Sequence, residues 1–270
     1  MKRPQLTLVL GMHRSGTSTL TRALPVLGVD IGQLHLARLD NPRGFFEHPQ
    51  FVEINERLLQ ALGGDWKSHT PFPMEAFSRL LSSSLAPFAH DFLQRFCEPG
   101  SLKGLKDPRA SRLLPFWRPL CEALHIDLSV LLVLRHPTNV ARSLAKRDGV
   151  DVLHASALWI RYTCEALRYS RGLPRLLVSY DRLMERPRRE LERVAKFLGL
   201  TVDDTAYHVF VQQFLDQGLR HHRESGSGGG MDASQVLYAH LLPLTEGLAS
   251  DALESPRLQR ALFAAQESLV

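Results

Sequence analysis

Leu6-Thr-Leu-Val-Leu10-Gly11-Met-His-Arg-Ser-Gly16-Thr-Ser18 runs from an apolar pentapeptide through two glycines into a helical pattern. Leu6 to Leu10, bounded by Pro4 and Gly11, reads as a buried strand. Ser15 to Leu27 reads as a helix, with Gly28 as its stop. Between them, the glycines let backbone N–H groups turn inward around an anion, and the helix start adds about half a positive charge. Outward from this unit, residues 28–48 are loop-like, punctuated by Gly32, Asn41-Pro42 and Gly44. A helix follows Pro49, because Phe51, Ile54, Leu58, Leu59 and Leu62 recur at helical spacing, and Gly63-Gly64 ends it. Helical patterns then cover residues 75–96, 110–124, a stretch from Pro137, 152–170 and 188–198. Strand patterns fall at 102–105, 127–134 and 175–179. This alternation predicts an α/β fold: a P-loop-type central parallel sheet flanked by helices, with a mostly helical C-terminal third.

The expected organisation is a single domain over 1–270, with a ligand-binding core at about 6–200 and a helical extension at about 201–270. Ser225 to Gly230 is expected to be flexible, and reads either as a surface loop or as a hinge carrying Arg220-His-His-Arg223 over a ligand. The chain has 270 residues and 44% hydrophobic composition, which excludes a disulfide scaffold, a collagen-like chain and a wholly disordered one. Its 33 basic and 28 acidic side chains give +5, a mild bias toward anionic ligands and too little for a nucleic-acid coat. Cys97, Cys121 and Cys164 lie far apart, which argues against structural zinc and fits a reducing compartment. The apolar runs are too short to span a membrane, and Met1-Lys2-Arg3 with Leu6–Leu10 lacks a cleavage site. A cytoplasmic protein is expected.

The loop spacing is close to the G-x4-G-K-[ST] of nucleotide triphosphatases, but Thr17 stands where their lysine belongs and the cation has moved to Arg14. That disfavours magnesium-dependent triphosphate chemistry. Three further segments bear on the ligand. Leu134-Arg-His-Pro-Thr-Asn-Val-Ala-Arg-Ser143 places the forked cation of Arg135 at a strand end, with the Ser143 hydroxyl near a helix start. Val178-Ser-Tyr-Asp-Arg-Leu-Met-Glu-Arg-Pro187 leads into a helix closed by Gly199. Leu105-Lys-Asp-Pro-Arg109 lies between a strand and a helix.

Together these segments resemble the sulfotransferases that use 3′-phosphoadenosine 5′-phosphosulfate (PAPS), with the Lys-Asp-Pro feature of the protein-tyrosine and several bacterial members. The resemblance covers roughly Leu6 to Leu200. It implies that His13, Arg14, Ser15, Gly16, Thr17 and Ser18 hold the phosphosulfate, and that Arg135 and Ser143 hold the 3′-phosphate. Tyr180 would sit near the nucleotide, and Arg223 would belong to a late basic segment that closes on it. Arg14 and Lys106 would face the transferring group, without a metal. Two departures matter: Thr19 replaces the adenine-stacking Trp of some branches, and Pro108 occupies the place of the aryl enzymes' histidine. The base is therefore sought at Glu47, with His48 and Asp40 in reserve and His35 below them. Asp107 reads first as a helix cap, and Arg109 as a ligand-facing or a surface residue. The acceptor would be a small molecule or a glycan, its pocket drawn from residues 28–48, 64–73 (Trp66, His69 and Phe72 included) and the C-terminal third. A P-loop small-molecule kinase and a non-catalytic nucleotide-binding module are the competing readings.

Overall fold

A computed structural model of the chain describes residues 2–32, 46–214, 231–248 and 251–269. In chain order its strands and helices are β1 (Gln5–Leu10), α1 (Thr17–Ala23), α2 (Pro49–Ala61), α3 (Met74–Leu81), α4 (Leu85–Phe96), β2 (Leu102–Lys106) and α5 (Ala110–Ala123). Then come β3 (Asp127–Leu134), α6 (Pro137–Asp148), α7 (Val152–Tyr169), β4 (Arg175–Ser179), α8 (Tyr180–Glu185) and α9 (Pro187–Leu198). The last three are α10 (Asp204–Phe214), α11 (Ala233–Leu241) and α12 (Pro256–Glu267).

The four strands are all parallel, in the order β2-β1-β3-β4. Leu8 of β1 is in register with Leu105 on one side and Val130 on the other. Alternate residues feed two cores. Leu6, Leu8 and Leu10 join Val130, Leu132 and Leu134 on the face covered by α2, α5 and α7. Val9, Leu131, Val133, Leu176 and Val178 pack with Leu20, Leu24, Leu191 and Val194 on the other. Burial on both faces explains why β1 and β3 read as near-continuous apolar runs. Because the chain leaves β1 toward β2 and then crosses back to β3, a crevice opens at the C-terminal ends of the central strands, where open α/β sheets bind ligands.

The structure refines the expected boundaries. The helix anticipated to Leu27 is α-helical only to Ala23; Leu24–Leu27 tighten into a 3-10 turn at Pro25, which lacks an N–H, and Gly28 ends it at φ +78°. The helical stretch 75–96 is two helices. Ser83 breaks it by donating its hydroxyl to Leu80 O at 2.7 Å and accepting the Leu85 N–H at 3.2 Å. The helix α8 was not anticipated; it starts directly from β4, with the Ser179 hydroxyl accepting the Arg182 N–H at its first turn.

Candidate functional site

The loop from Gly11 to Gly16 takes its shape from three residues at positive φ: Gly11 at +141°, Arg14 at +67° and Gly16 at +91°. Arg14 is not a glycine, and holding it there costs on the order of 1–3 kcal/mol. Neighbouring elements fix the two glycines. A Cβ on Gly11 would come 2.8 Å from Val133 O, and one on Gly16 would fall 2.1 Å from the Tyr180 ring. The Ser111 hydroxyl of α5 clamps the loop's start, accepting the Gly11 N–H at 2.9 Å and donating to Gly11 O at 3.3 Å. Gly16 opens α1 without a side-chain cap, and the buried Ser15 hydroxyl has no hydrogen-bond partner.

Lys106, the last residue of β2, delivers its ammonium to this loop. Its Nζ donates to Glu47 Oε1 at 2.6 Å and to Ser18 Oγ at 3.2 Å, with the lysine only 2% exposed. Glu47 is buried too, which raises its proton affinity; Lys106 opposes that rise and Asp107 adds to it. Sequence reading proposed Lys106, Glu47 and Ser18 separately, from three segments, and the fold brings them into contact. The adjoining Asp107 is wholly buried. Its carboxylate accepts from Asn55 Nδ2 at 2.9 Å, from the Arg109 N–H at 3.0 Å and from the Arg109 guanidinium at 2.9 Å. Trp117 Nε1 donates to Asn55 Oδ1 at 2.8 Å, completing a chain that holds the end of β2 rigid. The far side of the Arg109 guanidinium pairs with Glu56 at 3.0 Å.

On the other side of the loop, Arg14 Nε donates to Ser143 Oγ at 2.8 Å. The two residues assigned to opposite ends of a donor are thus hydrogen-bonded to each other. Arg135 donates to Arg14 O at 2.9 Å and lies over the Tyr180 ring at 4.5 Å, while its own carbonyl accepts from Trp159 Nε1 at 3.1 Å. One turn beyond Ser143 stands Arg147, its Nε on Asp148 at 2.7 Å. Burial first, then the charges of Arg147 and Arg135, lower the pKa of Arg14 from its ordinary value. A cluster of like charges therefore surrounds the loop. Sequence reading missed Arg147, although its place four residues after Ser143 on a helix was the signal that could have found it.

His13 is buried, its Nε2 has no hydrogen-bond partner, and its ring lies 4.6 Å from that of Trp66 and 5.9 Å from that of Tyr162. Burial, followed by the charges of Arg109, Arg147, Lys106 and Arg14, lowers its pKa well below the usual histidine value, so it is neutral. His48 packs against Phe92 and Phe96 at 5.1 and 5.4 Å between ring centres. Thr17 is buried in the first turn of α1. His35, Asp40, Arg220, Arg223 and the glycine run at 225–230 lie outside the described residues.

No family model matches the chain, and no curated protein does. Among solved structures it is similar to the sulfotransferase domain from the Synechococcus PCC 7002 olefin synthase, at 19% identity and TM-score 0.51, covering 99% of this chain and 95% of that one. The chain has the fold of a sulfotransferase domain. The sulfotransferase domain from the curacin biosynthetic pathway also matches, at 17% identity and TM-score 0.46, covering 99% of both chains. In this sulfotransferase fold every strand of the described sheet ends at the candidate site: β1 beside Gly11, β2 in Lys106, β3 beside Arg135 and β4 beside Tyr180. No described helix is long and apolar enough to cross a membrane.

Proposed function

We propose that this chain, as one domain over 1–270, is a sulfotransferase that moves a sulfuryl group from PAPS to a hydroxyl or amine of a small-molecule or glycan acceptor. The observation that carries the reading is the meeting of Lys106, Glu47 and Ser18 beside the loop that presents Arg14. The donor's chemical demands fit the residues present. Its sulfated 5′ end needs a close backbone approach and hydroxyl donors, matched by the Gly11–Ser18 turn with its unpartnered Ser15 hydroxyl. Its 3′-phosphate needs forked cations, for which Arg135 and Arg147 stand with Ser143. When bound, PAPS supplies an activated sulfuryl group and a phosphate leaving group.

The protein's own part is electrostatic and acid–base. Arg14 and Lys106 stabilise the negative charge that grows on the leaving oxygen. Glu47 takes the acceptor's proton, and burial brings its proton affinity nearer to neutrality than that of an exposed glutamate. The 2.6 Å contact couples these two jobs. While ionised, Glu47 ties up the ammonium; once protonated, it releases that charge toward the departing phosphate. Neutral His13 contributes no charge of its own. A thermal-shift comparison of adenosine 3′,5′-bisphosphate with ATP tests the reading, because a ligand of the folded state raises the melting temperature by mass action. The bisphosphate is expected to stabilise the protein more than ATP does. A shift with magnesium-ATP alone would replace this reading with the kinase.

A further inference from the structure

The loop joining α2 to α3 sits beside the anion turn, and its backbone is gripped in an unusual way. From Trp66 to Thr70 every carbonyl accepts a hydrogen bond from a side chain of α5 or α7. Tyr162 Oη donates to Trp66 O at 2.8 Å and His154 Nε2 to Lys67 O at 2.8 Å. Arg112 donates to Ser68 O and, at 2.7 Å, to Thr70 O, while Arg161 Nε reaches His69 O at 2.6 Å. Asp65 ties the start of the segment by accepting the Lys67 N–H at 2.8 Å. Surface loops ordinarily leave such carbonyls to water.

Gripping the loop this way puts charge inside the protein. The Arg112 side chain is fully buried and stacks on Phe72 at 4.3 Å. Glu165 holds its Nε at 2.8 Å and faces Arg161 at 3.8 Å. A buried ion pair of this kind is poor net stabilisation, so its use here is geometric. What it fixes is Ser68–Thr70, while Tyr162 holds the carbonyl of Trp66, whose half-buried ring stands 4.6 Å from His13 in the turn that carries Arg14.

We propose that Trp66–Thr70 is a fixed wall on the acceptor side of the reaction site. Trp66 is its contact surface, and Glu165 is the positioning residue that sets it through Arg112 and Arg161. The inference rests on the sulfotransferase reading and deepens it. With its carbonyls spent internally, the wall offers the open part of the Trp66 ring, with the Lys67 ammonium 5.3 Å over it, which suits an acceptor whose hydroxyl is borne on a flat or sugar-like ring. The same wall keeps water from the sulfuryl group. In the competing reaction a water oxygen bonds to sulfur while the bond from sulfur to the 5′-phosphate oxygen breaks. The electron pair leaves with adenosine 3′,5′-bisphosphate, and the water protons are released to give sulfate.

The test uses the full chain with Glu165→Gln, Tyr162→Phe and Trp66→Ala. In Glu165→Gln, amide hydrogen exchange at Lys67 and Ser68 is expected to quicken about tenfold or more while β1 and β3 stay protected. Tyr162→Phe, which removes one hydroxyl, should show the same pattern more weakly. It decides the matter if Glu165→Gln loosens the whole sheet. Sulfate release from radiolabelled PAPS without an acceptor should rise about threefold or more in all three variants, with bisphosphate affinity within about twofold of the parent. Unchanged exchange at Lys67 and Ser68 overturns the positioning role, and faster exchange without extra sulfate release overturns the wall. A parent protein that neither binds the bisphosphate nor releases sulfate refutes the sulfotransferase reading instead, and the exchange measurement still judges Glu165.

Discussion

The Lys106–Glu47 pair closes at 2.6 Å and the Arg112–Glu165 pair at 2.8 Å, and in both the glutamate's proton affinity is raised by burial. They differ in what surrounds the cation. Arg112 spends its guanidinium on Glu165, Ser68 O and Thr70 O, with its face on Phe72. Lys106 is a point charge with a carboxylate and a serine hydroxyl, at the mouth of a loop crowded with further cations. A saturated planar cation fixes geometry; a lysine held by an exchangeable partner keeps its charge available. Two buried pairs of similar length thus serve different ends, and the partner list tells them apart where the distance does not.

The largest effect should come from breaking the saturated pair. Arg112→Ala strands a buried carboxylate and is expected to lower stability by about 3–5 kcal/mol, read from urea unfolding. Next, Lys106→Ala and Arg14→Ala should each lose on the order of 100-fold in turnover, about 3 kcal/mol of transition-state stabilisation, with the fold intact by circular dichroism. If Lys106→Ala instead unfolds the protein as Arg112→Ala does, the contrast between the pairs disappears.

The two glutamates sharpen the comparison through pH. Both bind protons more tightly in the folded chain than in the unfolded one, whose glutamates titrate near 4.5. Their contribution to stability is therefore complete below that value and is lost as pH rises through the raised ones. Glu47→Gln and Glu165→Gln should each flatten the plot of urea midpoint against pH over that window. Glu47→Gln should also slow turnover while leaving bisphosphate binding in place by titration calorimetry, without the acceptor-free sulfate release expected of Glu165→Gln. The smallest effect is expected of Ser143→Ala, which removes one hydroxyl from Arg14. About tenfold weaker bisphosphate binding corresponds to a hydrogen bond to a charged group worth about 1.4 kcal/mol.

How much of this was visible in the sequence depends on whether the information is contiguous. The β1 strand, the glycine loop and α1 were legible because strand, turn and helix signals follow one another without a gap. The bounds of β3 and β4 were read to the residue, since runs buried on both faces end where polar or proline residues begin. Lys106, Glu47 and Ser18 could be proposed one by one, but their contact is a product of the sheet order and has no local signature. The grip on residues 66–70 was invisible for a different reason: a backbone carbonyl is the same group in every residue, so its partner leaves no mark at the position where it accepts. The helix α8 went unseen because Ser179 ends one element and caps the next in the same residue.

The turn at Gly16 is cast against a ring encoded far downstream, for Tyr180 follows β4 on the outer edge of the sheet. Arg135, which lies over that same ring, arrives only with the end of β3. A nascent chain that has emerged only through β3 thus carries residues 11–18 as letters, without the Tyr180 ring that gives Gly16 its form. The turn at Gly16 therefore takes its form only once the edge strand β4 and Tyr180 are in place. Grafting residues 11–18 alone onto another parallel sheet would transplant the motif and leave its shape behind.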